Sequence, residues 1–197
     1  MKTMFVAAAM ASALSLSTPA TAGFFDLTLA PYLGGSLGQA TSDITCTAGT
    51  SCDDTGNAWK IFGGLEVNEY ISMEVGYADM GEVKYTGTKT GTRDVNGMTM
   101  QLVGTMALNE QFTLIGKGGF GILHSDVKGN VALAGATLST EDTDLEWMLG
   151  LGAQYNFTPS VGLRLEWERY FEVGGKDASS TGEADIDLIT AGLVFKF

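Results

Sequence analysis

The sequence predicts an all-β fold, an eight-stranded antiparallel up-and-down transmembrane β-barrel. Three observations carry that reading. Segments of alternating apolar and small or polar residues recur from residue 27 onward, each about ten residues long, the length a tilted membrane strand needs. Charges within these segments fall on the Gly/Ser/Thr face, and short and long connectors alternate strictly. A soluble sandwich also alternates; the placement of the charges and of Trp and Tyr at strand ends separates the two.

Strands are expected at Leu27–Gly38, Ala58–Val67, Tyr70–Met80, Val95–Leu108, Phe112–His124, Leu145–Tyr155, Val161–Phe171 and Ile186–Phe197. The short connectors, Asn68–Glu69, Asn109–Gln111 and Asn156–Ser160, have the Asn, polar and Pro chemistry of tight turns and are assigned to the periplasmic side. The long connectors, Gln39–Asn57, Gly81–Asp94, Ser125–Asp144 and Glu172–Asp185, are rich in Gly, Thr, Ser and Asp and are read as four extracellular loops.

In the last strand Ile189, Ala191, Leu193, Phe195 and Phe197 share one face, suited to lipid, while Leu188, Thr190, Gly192, Val194 and Lys196 share the other. Trp59, Ile61, Leu65 and Val67 oppose Lys60, Phe62, Gly64 and Glu66 in the second strand, and Leu163, Leu165 and Trp167 oppose Arg164, Glu166 and Glu168 in the seventh. The inward set thus collects Lys60, Glu66, Glu74, Lys117, Glu146, Arg164, Glu166 and Glu168. Opposite charges in a lumen this narrow form a salt-bridge network, read as a static polar plug, with a narrow porin as the alternative. Arg164 is expected to pair with Glu146, Glu166 or Glu168 on its own or adjacent strands.

Residues 1–22 read as a secretory signal: Lys2, an apolar run from Met4 to Leu16, and Ala20-Thr21-Ala22, with cleavage between Ala22 and Gly23. The barrel domain then covers 23–197. No later apolar run is long enough for a spanning helix, so a membrane-embedded chain must use closed strands. A formal net charge of −12 argues against nucleic acid as a partner.

Other constellations carry less. His124, Ser125 and Asp126 suggest a hydrolase, and a lipid A-modifying enzyme is the second alternative; neighbouring strand residues face opposite ways, which separates His124 from a loop Ser125. Asp43, Asp53, Asp54, Asp126, Glu141, Asp142, Asp144, Asp177, Glu183 and Asp185 gather on the outer side as a solvated acidic surface without a calcium-loop motif. The glycines of Gly116–Gly121 lack phosphate-loop spacing and are read as easing barrel curvature. No cofactor, metal or catalytic residue is expected.

The run from Cys52 through Ala58-Trp59-Lys60-Ile61-Phe62-Gly63-Gly64, the run Glu74-Val75-Gly76-Tyr77-Ala78-Asp79-Met80-Gly81, and the closing strand together resemble the OmpA-like and OmpX-like small outer-membrane barrels. The resemblance implies the outer membrane of a Gram-negative bacterium and contact with its lipids and lipopolysaccharide. It also implies recognition of Phe195 and Phe197 by the assembly machinery, and a non-enzymatic structural, surface-display or adhesion role, with a host or extracellular ligand held by the loops. The best-known member continues into a peptidoglycan-binding domain; this sequence stops at Phe197, so wall anchoring is not implied.

Cys46 and Cys52 lie close together in a chain with an export signal, which predicts a disulfide closing a small ring. By loop-closure entropy it contributes only about 2 kcal/mol and stiffens one loop. Alkylation of the exported protein without reductant is expected to label neither Cys46 nor Cys52, and after reduction both; labelling of both before reduction would show that the bond is absent.

Overall fold

The structure, a computed structural model, describes residues 29–43, 51–53, 55–86, 90–131, 136–173 and 184–197. Eight strands form the barrel: β1 (Ala30–Ser42), β2 (Thr55–Glu66), β3 (Ile71–Thr86), β4 (Thr90–Ala107), β5 (Phe112–Val131), β6 (Ala136–Thr158), β7 (Val161–Val173) and β8 (Ala184–Lys196). Each pairs antiparallel with the next, and β8 returns to β1 from Tyr32↔Lys196 to Ser42↔Ile186. That last ladder leaves the membrane sheet without an edge, the condition for strands in hydrocarbon. Ser51–Asp53 is a three-residue flap on the outer end of β3.

Burial runs opposite to that of a soluble domain. Leu37, Met98, Trp147 and Ile189 are 72%, 65%, 68% and 63% exposed, whereas Lys60 and Glu168 are 1% and 0% exposed. The apolar face therefore points to lipid and the charged face inward, which the strand alternation anticipated. Aromatic side chains gather at the two rims. Trp59 lies against Tyr77 in a tilted pair, ring centroids 5.6 Å apart, toward the outer end, and Phe112, Tyr155 and Phe157 form a chain of rings at 4.9 and 5.2 Å beside the periplasmic turns.

One chemistry closes the three short turns. The Asn68 Oδ1 accepts hydrogen bonds from the backbone N–H groups of Tyr70 and Ile71, both 2.8 Å, and Asn109 Oδ1 does the same for Gln111 and Phe112. In the third turn Thr158 Oγ1 takes this place, binding the N–H groups of Ser160 and Val161. A side-chain oxygen that mimics a backbone turn explains the choice of Asn and Thr. This third turn is shorter than the expected Asn156–Ser160, because Asn156 still donates its N–H to the Gln111 carbonyl and remains in the ladder.

The outer side departs most from expectation. β1 is displaced along the chain relative to Leu27–Gly38, since its pairing runs on to Thr41↔Thr55 and Ser42↔Ile186. Much of the expected loops Gly81–Asp94 and Ser125–Asp144 is strand: pairing extends to Tyr85↔Gly91, Thr90↔Asn130 and Val131↔Ala136. The lipid-facing apolar pattern stops at the membrane boundary, but backbone pairing does not, and Thr- and Val-bearing segments continue it in water. Gly81, with φ +73°, supports the bulge between Asp79 and Glu82 where β3 passes into its outer extension.

The ladder closes on itself, so the folded protein is expected to resist detergent and to migrate differently on gels from the boiled protein. Identical migration before and after boiling would contradict the β1–β8 closure.

Candidate functional site

The charges of the lumen come from the inward positions of β2, β3, β5 and β7. Lys60 Nζ lies 2.6 Å from Glu166 Oε2 and 2.6 Å from Glu168 Oε1. Lys117 Nζ lies 2.7 Å from Glu74 Oε1, also contacts Glu166 Oε1, and reaches Glu168 at 3.5 Å. Arg164 donates from Nη1 to Glu74 Oε2 at 2.8 Å and from Nε to Gln154 Oε1 at 2.9 Å. Three cations thus face three carboxylates, all buried. The cluster is formally neutral, which is what makes burial of six ionised groups tolerable.

Aromatic groups complete it. Tyr32 donates its hydroxyl hydrogen to Glu74, and Tyr170 donates to Glu168. The Phe62 ring has Lys60, Lys117 and Arg164 at 5.2, 5.3 and 5.1 Å from its centroid, so one ring lies within reach of every cation of the cluster. Two glycines make room for these rings. A Cβ on Gly34 would fall 2.3 Å from the Phe62 ring, and one on Gly64 2.2 Å from the Tyr32 ring. The outer side of the cluster is covered by Ala40, Ala58, Met80, Val95, Leu123, Met148, Ile186 and Leu188 around Tyr170, and the periplasmic side by Tyr32, Phe62 and Val194. Charge is therefore layered between apolar packing.

Of the eight inward charges expected from sequence, Lys60, Glu74, Lys117, Arg164, Glu166 and Glu168 meet here. Glu66 does not; it pairs with Lys196 at 2.6 Å near the periplasmic mouth, about one-third exposed. Glu146 lies opposite Gly121, nearer the outer end than Lys117, whose register partner is Gly150. Arg164 pairs with Glu166 on its own strand at 3.7 Å, one of its expected partners, and its shorter contact, 2.8 Å, is to Glu74 on β3 across the lumen, which was not among them. An arginine long enough to cross a narrow barrel is not restricted to adjacent strands. Tyr32 and Phe62 share the inward alternation of their strands, the only sequence signal that could have added them to the cluster.

Ser125 is not a loop residue: β5 continues past it, and it is buried while His124 is exposed. His124 instead meets Thr143 across the β5–β6 ladder, with Nδ1 2.6 Å from Oγ1. Asp126, Glu141, Asp142 and Asp144 likewise stand in strands. Asp43 and Asp185 accept hydrogen bonds from Arg169, as does Asp187. No group of three or more His, Cys, Asp and Glu among the described residues is arranged to hold a metal ion. Ala22, Gly23, Cys46, Asp54, Asp177 and Glu183 lie outside the described residues, and Phe195 and Phe197 end the chain at the periplasmic rim with Phe197 N–H on the Pro31 carbonyl.

A closed eight-strand barrel, apolar outside and ion-paired inside, defines a small outer-membrane barrel of the kind found in Gram-negative bacteria. Residues 30–197 match the family model of the OmpA-like transmembrane domain, and the chain belongs to that family. Outer membrane protein A of Salmonella typhi is 29% identical over 138 residues, 69% of this chain and 39% of that protein. The Klebsiella pneumoniae protein is 25% identical over 175 residues, 84% of this chain and 50% of the relative. The chain thus spans half or less of the length of these relatives. Its fold is that of OprG from Pseudomonas aeruginosa, with a TM-score of 0.60, 14% identity and coverage of 88% and 99% of the two chains. Neisserial surface protein A matches with TM-score 0.57, 15% identity and coverage of 85% and 97%. Ail of Yersinia pestis, solved with the heparin analogue sucrose octasulfate, matches with 0.53, 17% identity and coverage of 86% and 97%.

Replacing Arg164 by Ala leaves Glu74 with one cation fewer in a buried site, and urea unfolding in lipid vesicles is expected to show a loss of about 3–5 kcal/mol. Adding Glu74→Gln to that variant should restore part of it by removing the uncompensated carboxylate. Equal stability of wild type and Arg164→Ala would mean that water reaches the cluster.

Proposed function

We propose that this protein is a non-enzymatic barrel that displays its outer β-hairpins at the cell surface, with a structural or adhesive role. The observation that carries this reading is the lumen itself: a neutral ion-pair cluster between two apolar layers fills the space through which a solute would have to pass. A barrel of this strand number has an interior that side chains fill, so a plug rather than a channel is the economical outcome. The long strands β5 and β6, 20 and 23 residues, exceed what spanning requires and place their surplus outside. Ail, named for attachment and invasion, has the same fold, which supports the surface reading at the level of architecture.

Further elements of the proposal concern maturation. Export through residues 1–22 with cleavage at Ala22–Gly23, a disulfide between Cys46 and Cys52, and recognition of Phe195 and Phe197 during assembly are consistent with a barrel in the outer membrane. A lipid A-modifying activity is disfavoured by the opposite facing of exposed His124 and buried Ser125.

Reconstituted in planar bilayers, the protein is expected to show little steady conductance. Replacing residues 126–143 by a tight turn should reduce attachment of expressing cells to host surfaces while leaving the heat-dependent gel shift intact. A large, stable single-channel conductance together with unchanged attachment would favour a narrow porin instead.

A further inference from the structure

The methionines are not spread evenly. Met1, Met4 and Met10 fall in the expected signal segment; of the others, Met80 and Met148 are 2% and 1% exposed, while Met73, Met98, Met100 and Met106 are between 45% and 65% exposed on the lipid face. Those four lie on two neighbouring strands, β3 and β4. The exposed large apolar side chains of the other six strands are Leu, Ile, Trp and Phe, so one side of the barrel alone presents sulfur to the membrane. Register spreads these sulfurs along the strands. Met98 is paired with Tyr77, which lies against Trp59 at the outer rim, Met100 with Val75 and Met73 with Leu102. Met106 follows Thr105, whose N–H meets the Tyr70 carbonyl beside the periplasmic turn.

In packing, Leu and Met are near equivalents. They differ in chemistry: a thioether sulfur offers a lone pair to electrophilic oxidants, and an alkyl chain offers none. Placement divides the six methionines by consequence. Met80 and Met148 belong with Tyr170 to the apolar layer over the ion cluster, where a sulfoxide would be a buried acceptor without a donor. The lipid-facing four stand outside the ladder, where an added oxygen displaces lipid and leaves the packed lumen unchanged. We propose that the β3–β4 face formed by Met73, Met98, Met100 and Met106 is an oxidation site that intercepts small uncharged oxidants of the hypohalous acid class within the membrane. The sulfur gives an electron pair to the chlorine of hypochlorous acid and the O–Cl bond breaks. The chlorosulfonium then exchanges chloride for the hydroxide just released, and loss of the hydroxyl proton leaves the sulfoxide. Sulfur is oxidised, chlorine is reduced to chloride, and one proton is released.

The test uses the full chain in nanodiscs of a saturated phosphatidylcholine, whose chains do not compete for oxidant, with hypochlorous acid added in less than stoichiometric amount. Peptide mapping by mass spectrometry should show the four lipid-facing methionines converted to sulfoxide about tenfold or more ahead of Met80 and Met148, with the heat-dependent gel shift retained. Peroxymonosulfate, an anion that hydrocarbon excludes, should spare Met73 and Met100, which lie between Met98 and Met106 along the ladder. Exchanging all four for Leu keeps their volume and should preserve the gel shift, but the same dose of hypochlorous acid should then oxidise Met80 and Met148 several-fold more. If that variant does not fold, Met98→Leu with Met100→Leu tests the same redistribution. Equal oxidation of all six methionines in the wild type, or unchanged oxidation of Met80 and Met148 in the folded Leu variant, would overturn the proposal. So would conversion of Met73 and Met100 by the anion as fast as by hypochlorous acid. Loss of the gel shift once the four are sulfoxides would overturn it too, because the face would then be a point of failure and not a shield.

Discussion

Hydrocarbon offers no partner to a backbone N–H or C=O, and from that single constraint the organisation of this protein follows. A strand in the membrane must be paired on both sides, so the first and last strands have to meet, and they do so over Tyr32↔Lys196 to Ser42↔Ile186. Once the sheet is closed, side chains have only two destinations. Lipid-facing positions are apolar, and the mid-membrane charges are gathered into a narrow lumen between apolar layers. The neutral cluster of three cations and three carboxylates answers that confinement, because a Lys or Arg directed at the mid-membrane would cost about 2–4 kcal/mol and an unpaired one in the lumen at least as much.

Above the membrane the constraint lapses. Water can satisfy the edge of a strand there, and among the described residues β6 pairs with β5 out to Val131↔Ala136 and with β7 from Met148↔Tyr170 inward.

Strand number, topology and the inward or outward sense of each residue were legible because a period of two leaves no ambiguity once mid-strand charges mark the inside. Trp167 and Ile189 on one face and Glu166 and Leu188 on the other are placed as their parity requires. Strand length was not legible on the outer side. The reading ended strands where apolar alternation ends, near Met80 and His124, but hydrogen bonding is indifferent to side-chain polarity and carried β3 to Thr86 and β5 to Val131. Pairing within the lumen was only half legible. Parity shows which charges enter, but the reach of Arg164 across to Glu74 depends on the barrel's width, which no local pattern encodes. Nor does polarity pattern reveal that Phe62 would lie beside all three cations.

The sequence separation of the ion pairs bears on how the molecule is made. Lys60 and Glu166 are 106 residues apart and Glu74 and Arg164 are 90, so the partners come from hairpins near opposite ends of the chain. A sheet that entered the bilayer strand by strand and stayed open would carry each of these groups into lipid without its counter-ion. Insertion and closure are therefore energetically coupled, because the cluster penalises half-inserted intermediates more than the closed barrel, in which each of these charges meets its counter-charge.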